Sequence, residues 1–133
     1  MRTRAQIALA WLPALLYMGL IWALSSMELA SLPVSRFPFG DKGVHFVEYT
    51  ILGFLVAHAT LRTWPRHHPV RTALLAIFVT GVWGFVDEIH QGMVPGRTSE
   101  ALDLVADFSG ATAGAMLRFA ALFIPRLATS EER

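Results

Sequence analysis

Three short runs hold most of the side chains able to do chemistry. They are Asp41-Lys42-Gly43-Val44-His45-Phe46-Val47-Glu48-Tyr49, then Asp87-Glu88-Ile89-His90-Gln91 leading into Val94-Pro95-Gly96-Arg97, and Asp103-Leu104-Val105-Ala106-Asp107-Phe108-Ser109-Gly110. His45, Glu48, Asp87, Glu88 and His90 are candidates for general acid–base work, because imidazoles and carboxylates are the groups that move protons near neutral pH. Lys42, Tyr49, Gln91 and Arg97 are candidates to bind a substrate, Arg97 through a bidentate grip on a phosphate or carboxylate. Asp103 and Asp107 are candidates to hold a divalent metal, for which carboxylate and imidazole ligands suit Mg, Mn, Ca or Zn in different mixtures. Each has a plainer alternative. His45-x-x-Glu48 and Asp87-x-x-His90 place partners one helical turn apart, a spacing that equally suits a structural hydrogen bond. Asp103 and Asp107 equally suit pairing with Lys42 or Arg97, and Arg97 a salt bridge to Asp103 or Glu100. Tyr49 equally suits packing. The chain has no cysteine, which removes thiol nucleophiles, thiolate ligands and disulfides. Ser25-Ser26 offers hydroxyls at the end of a helix, with no evident base beside them.

The elements that must position these groups are helices in a membrane. The 133 residues are 54% hydrophobic and only 16% charged, against about 25% charged in soluble domains, and the mean hydropathy is +0.48. Four apolar segments, at about residues 5–24, 42–61, 70–91 and 99–124, approach the roughly 20 residues that span a bilayer as a helix. The expectation is therefore an all-α bundle of four transmembrane helices forming one domain over residues 1–133. Asp41 is expected to cap the second helix, and Thr98 or Ser99 the fourth. The first segment reads as a retained helix, since it is longer than the apolar core of a signal peptide and three more segments follow. No basic block suits nucleic acid.

Helical periodicity sorts the polar residues onto faces. Asp41, His45, Glu48 and Leu52 share one stripe of the second helix, with Tyr49 beside it. Thr80, Gly84, Asp87 and Gln91 share one stripe of the third, with Glu88 beside it and His90 on the flank. Glu100, Asp103, Asp107, Gly110 and Gly114 share a narrow stripe of the fourth. Charges facing lipid cost several kcal/mol, so the three faces should point at one another, and Gly110 and Gly114 continue theirs as a surface for close helix approach. Seven acids against Lys42 and Arg97 give this cluster a formal charge of −5 with both histidines neutral. Such an excess calls for protonation, hydration at the rim, or a bound cation.

Of the Lys and Arg residues, Arg2, Arg4, Arg62, Arg66, Arg71, Arg118, Arg126 and Arg133 fall on one side of this topology, and Arg36, Lys42 and Arg97 on the other. The positive-inside rule then puts both termini in the cytoplasm and the acidic cluster at the outer face.

The three motifs, in this order and at these separations, together with Ser25-Ser26, resemble the VanZ-like family over residues 24–114. The resemblance implies a multi-pass protein of the bacterial inner (cytoplasmic) membrane, a setting in the cell envelope, and a link to glycopeptide (teicoplanin) resistance through the family's founding member. It implies no reaction. Three functions stay open at this point. One is a membrane enzyme acting on a lipid-linked or cell-envelope substrate. Another is a small transporter or lipid-headgroup binder, which at this length would need a homo-oligomer to alternate access. The last is a non-catalytic binding, immunity or assembly protein whose polar network is structural.

Overall fold

Residues 2–27 and 38–122 are described by the computed structural model of the chain. They form four helices: α1 (Arg4–Ser25), α2 (Asp41–Thr63), α3 (Pro69–Gln91) and α4 (Ala101–Ala120). No strand occurs among the described residues. The local reasons are legible. Thr3 and Gln6 close a reciprocal capping box at the start of α1. Pro69 opens α3 at a position where a missing N–H costs nothing, behind a His68 cap. Gly40, not Asp41, is the N-cap of α2, and Asp41 falls in the first turn, where its charge still suits the helix dipole. Glu100, rather than Thr98 or Ser99, is the N-cap of α4, because the Ser99 hydroxyl is engaged elsewhere, as described below. The expected end of the fourth segment near residue 124 and the polar tail lie outside the described residues.

Cross-helix contacts fix the topology. Lys42 meets Asp103, His45 meets Asp107, and His58 meets Arg118, so α2 and α4 run parallel. Ser25 meets Asp87, and Trp11 meets Thr63, so α1 runs parallel to α3 and antiparallel to α2. The result is an up-down-up-down bundle with every polar motif at one end.

The α2–α4 pair is the most extensive contact, and its closeness comes from missing side chains. A Cβ on Gly110 would sit 2.5 Å from the Phe46 carbonyl oxygen, and one on Gly114 would strike the Thr50 carbonyl oxygen. The core is small and apolar: Ala14, Ile21, Leu52, Val56, Ala57, Ala76 and Ala115, with Tyr49 among them. Around it, Leu9, Leu16, Leu74, Phe78, Leu102, Val105 and Met116 are exposed, an apolar exterior suited to lipid.

α1, α2 and α3 are each long and apolar enough to cross a membrane. α4 falls short of that mark because Asp103, Asp107 and Arg118 lie within its 20 residues. Asp103 and Asp107 are buried against the bundle, so these two charges do not face outward. At about 1.5 Å per residue its length is about 30 Å, the thickness of the hydrocarbon layer.

Candidate functional site

The polar end is built in three connected parts. At its centre, His45 Nδ1 lies 2.9 Å from Asp107 Oδ1 and 4.0 Å from Glu88 Oε1. His45 and Asp107 are 1% and 0% exposed. The stripe geometry explains the meeting: His45 is one turn into α2, Asp107 nearly two turns into the parallel α4, and Glu88 near the end of the antiparallel α3. Gly84 makes room for it. A Cβ there would press on Asp107 Oδ2 at 2.8 Å and on the Tyr49 ring at 3.1 Å.

Glu88 also holds the chain leading into α4. Its Oε2 accepts from the Ser99 hydroxyl and from the Glu100 backbone N–H, both at 3.0 Å. A carboxylate at a helix N-terminus satisfies an otherwise unpaired N–H and favours the dipole. This is why Ser99 does not cap α4 itself.

On the α1 side lies a second network. The Ser25 hydroxyl donates to Asp87 Oδ2 at 2.8 Å, and Gln91 Nε2 donates to the same oxygen at 2.8 Å and to Ser25 Oγ at 3.2 Å. Arg97 Nη2 donates to Gln91 Oε1 at 3.0 Å and lies 3.8 Å from Asp41. Arg97 is delivered by a tight turn. Its N–H bonds to the Val94 carbonyl at 3.1 Å, with Pro95 and Gly96 between. Gly96 has φ +78°, the left-handed value that the third position of a type II turn demands and that glycine adopts freely. Arg97 therefore pairs with Gln91 and Asp41 instead of the Asp103 or Glu100 that sequence spacing offered. Ser25 likewise has an acid beside it after all: its partner comes from a helix 62 residues away, which no local spacing reveals.

At the rim, Lys42 Nζ contacts Glu100 at 2.7 Å and Asp103 at 3.0 Å. The ammonium holds the exposed Glu100 carboxyl below its usual range. Asp103 is 1% exposed, so Lys42 neutralises a buried charge from its half-exposed position.

The other expected residues are placed as follows. Glu48 lines a cavity of about 20 Å³ with Leu24, Ser25, Asp41, Val44, His45 and Arg97. Tyr49 is fully buried beneath His45, the two rings parallel with centroids 6.3 Å apart. His90 stands apart from His45. It stacks on Trp22 at 3.8 Å between centroids and approaches Ser26 Oγ at 3.4 Å. Trp22 and Ser25 are the residues that sequence reasoning left out of the site.

The buried polar atoms without a hydrogen-bond partner among the described residues include six at this end: His45 Nε2, Tyr49 Oη, Asp87 Oδ1, Glu88 Oε1, His90 Nδ1 and Asp107 Oδ2. Buried polar atoms are normally paired, so this concentration marks a place for water, a proton or a ligand. Two groups bring three ligand atoms within 4.8 Å of one another: Asp41, His45 and Asp103, and His45, Glu88 and Asp107. In the first, Lys42 already occupies Asp103. The second is wholly buried, with unpaired oxygens on both carboxylates, and is the better set for a divalent cation. The separations of 2.9 and 4.0 Å resemble those between ligands sharing one ion at bond lengths of about 2.0–2.2 Å.

With Asp107 ionised, it accepts the Nδ1 proton of His45 and leaves Nε2 as the basic nitrogen. A carboxylate orienting an imidazole in this way prepares it to take a proton.

No curated protein and no solved structure matched the chain. One family model did, described as VanZ/LLP1 and matching residues 4–123. That span takes in all four helices and every residue of the polar end, and the chain belongs to the VanZ/LLP1 family.

Proposed function

We propose that the polar end is a reaction site at the outer face of the bacterial inner membrane, acting on a lipid-linked or cell-envelope substrate. The observation that carries this reading is the buried His45–Asp107 pair, with His45 Nε2 unpaired beside a small cavity. His45 is the proton acceptor and Asp107 the group that orients it. Glu88 adds a second carboxylate to the same centre. In an alternative to that hydrogen-bonded pair, a divalent cation held by His45, Glu88 and Asp107 would replace the Nδ1 proton and supply Lewis-acid chemistry there. Arg97, in the cavity wall, is the charge that meets a phosphate or carboxylate. A cavity of about 20 Å³ admits about one water, so a larger substrate enters only as the surrounding side chains part.

The family's link to glycopeptides makes teicoplanin susceptibility the first phenotype to measure. In a susceptible host expressing the chain, Asp107→Asn and His45→Gln should abolish any protection while the protein stays folded in the membrane. Protection retained in full by both variants would sink the reaction reading. Elemental analysis of the purified protein tests the cation, with loss of metal expected in Glu88→Gln and Asp107→Asn.

A second reading has its own support. The Ser25–Asp87–Gln91–Arg97 and Lys42–Asp103–Glu100 networks link side chains of the bundle to one another, as a structural lock would. On that reading the protein binds or assembles without catalysis, and the isosteric variants keep their phenotype.

A further inference from the structure

At the opposite end, a cavity of about 480 Å³ opens between the start of α1 and the end of α2, lined by Arg2, Gln6, Leu9, Ala10, His58 and Arg62. The hydrogen bonds around it leave its lining side chains mainly donors to offer. Gln6 Oε1 is taken by the Thr3 backbone N–H at 3.1 Å, so the free part of its amide is the NH₂ donor. His58 Nδ1 accepts from Arg118 Nε at 3.3 Å, which puts the ring proton on Nε2 and makes that atom a donor too. Arg2 and Arg62 offer only donors and carry permanent charge. The acids among the described residues all lie at the other end of the bundle. The floor is apolar. Leu9 continues along α1 into Leu12 and Leu16, which are 66%, 47% and 66% exposed on one helical face.

We infer that this cleft binds the phosphate headgroup of an anionic phospholipid, with an acyl chain lying along Leu9, Leu12 and Leu16. Charge complementarity selects the occupant. A donor-rich, doubly guanidinium-lined mouth fits a phosphate oxyanion. The apolar track leading from it into the membrane fits a hydrocarbon tail, and a soluble anion leaves that track bare. Basic pockets between helices at a membrane surface recognise anionic headgroups by this combination. The site stands independently of the acidic end and of its chemistry.

The test uses the full chain in neutral detergent. Thermal unfolding is followed as phosphatidylglycerol, phosphatidylcholine or inorganic phosphate is added, and native mass spectrometry counts retained lipids. Phosphatidylglycerol should stabilise the wild type and stay bound, while phosphatidylcholine and phosphate should not match it. Arg62→Gln and Arg2→Gln should each weaken phosphatidylglycerol binding about tenfold. Arg71→Gln removes the same charge from α3 outside the cleft and should leave binding within about twofold. Equal stabilisation by phosphatidylcholine would overturn the inference. So would a full effect from phosphate alone, or an equal loss in Arg71→Gln. If an arginine variant fails to fold, lipid retention by the wild type still decides between the two lipids.

Discussion

At one end of the bundle, Asp87, Asp103 and Asp107 are at most 1% exposed, and each is held by a side chain from a different helix. At the other end, Arg2, Arg62 and Arg66 lie exposed around open clefts. The same small protein thus manages charge in two ways. Buried carboxylates need particular partners, because each loses its hydration and recovers it only from groups placed to receive it. Exposed guanidiniums need no particular partner, because water, counterions and headgroups answer them. The first arrangement draws on all four helices, tying α1 to α3 and α2 to α4. The second leaves a surface whose occupant is decided by what surrounds the protein.

Removing one member of the buried pair gives the sharpest contrast. Asp107→Leu leaves His45 and Glu88 without their neighbour and should destabilise the protein by about 3–5 kcal/mol, read from thermal unfolding in detergent. A cost below about 1 kcal/mol would mean that the acidic end is no more specified than the arginine end. Gly114→Leu should cost about 3 kcal/mol, because a side chain there drives α2 and α4 apart. It should damage the polar end while leaving the α1–α2 cleft chemistry largely intact. Arg62→Gln should change stability by no more than about 0.5 kcal/mol without added lipid. Its effect should shrink as salt shortens the screening length below about 10 Å, whereas the cost of Asp107→Leu should barely respond to salt. The smallest effect concerns pH. The Glu100 carboxyl is lowered by Lys42, so its contribution is full above the unfolded value of about 4.3 and fades as pH falls through the lowered folded value. Glu100→Gln, which leaves Lys42 on Asp103, should remove that component of acid sensitivity, seen as a shallower loss of melting temperature as pH falls below about 4.3.

Much of this was legible in the sequence because helices convert spacing into faces. The stripes Thr80–Gly84–Asp87–Gln91 and Asp103–Asp107–Gly110–Gly114 are the buried ones, and the all-α class follows from hydropathy alone. What stayed hidden depends on which helices meet. Ser25 looked isolated because its acid is on α3. For Arg97 the sequence offered a salt bridge to Asp103 or Glu100 as one alternative, yet a type II turn swings it back towards Gln91 and Asp41. Asp41 and Ser99 were natural caps by residue type, but Gly40 precedes one and Glu88 claims the other. His90 shares a helix with Asp87 and Glu88 but leaves them for the face of Trp22.

The parallel contact between α2 and α4 joins two helices that the chain makes far apart in time. Until α4 is synthesised, Lys42, His45 and Glu88 sit in a nascent protein without Asp103, Asp107 and the Ser99–Glu100 segment. The glycine-lined surface of α4 that closes the bundle and the acids that answer the charge on α2 arrive in the same twenty residues. A chain without α4 lacks Asp103, the buried partner of Lys42, and Asp107, the partner of His45.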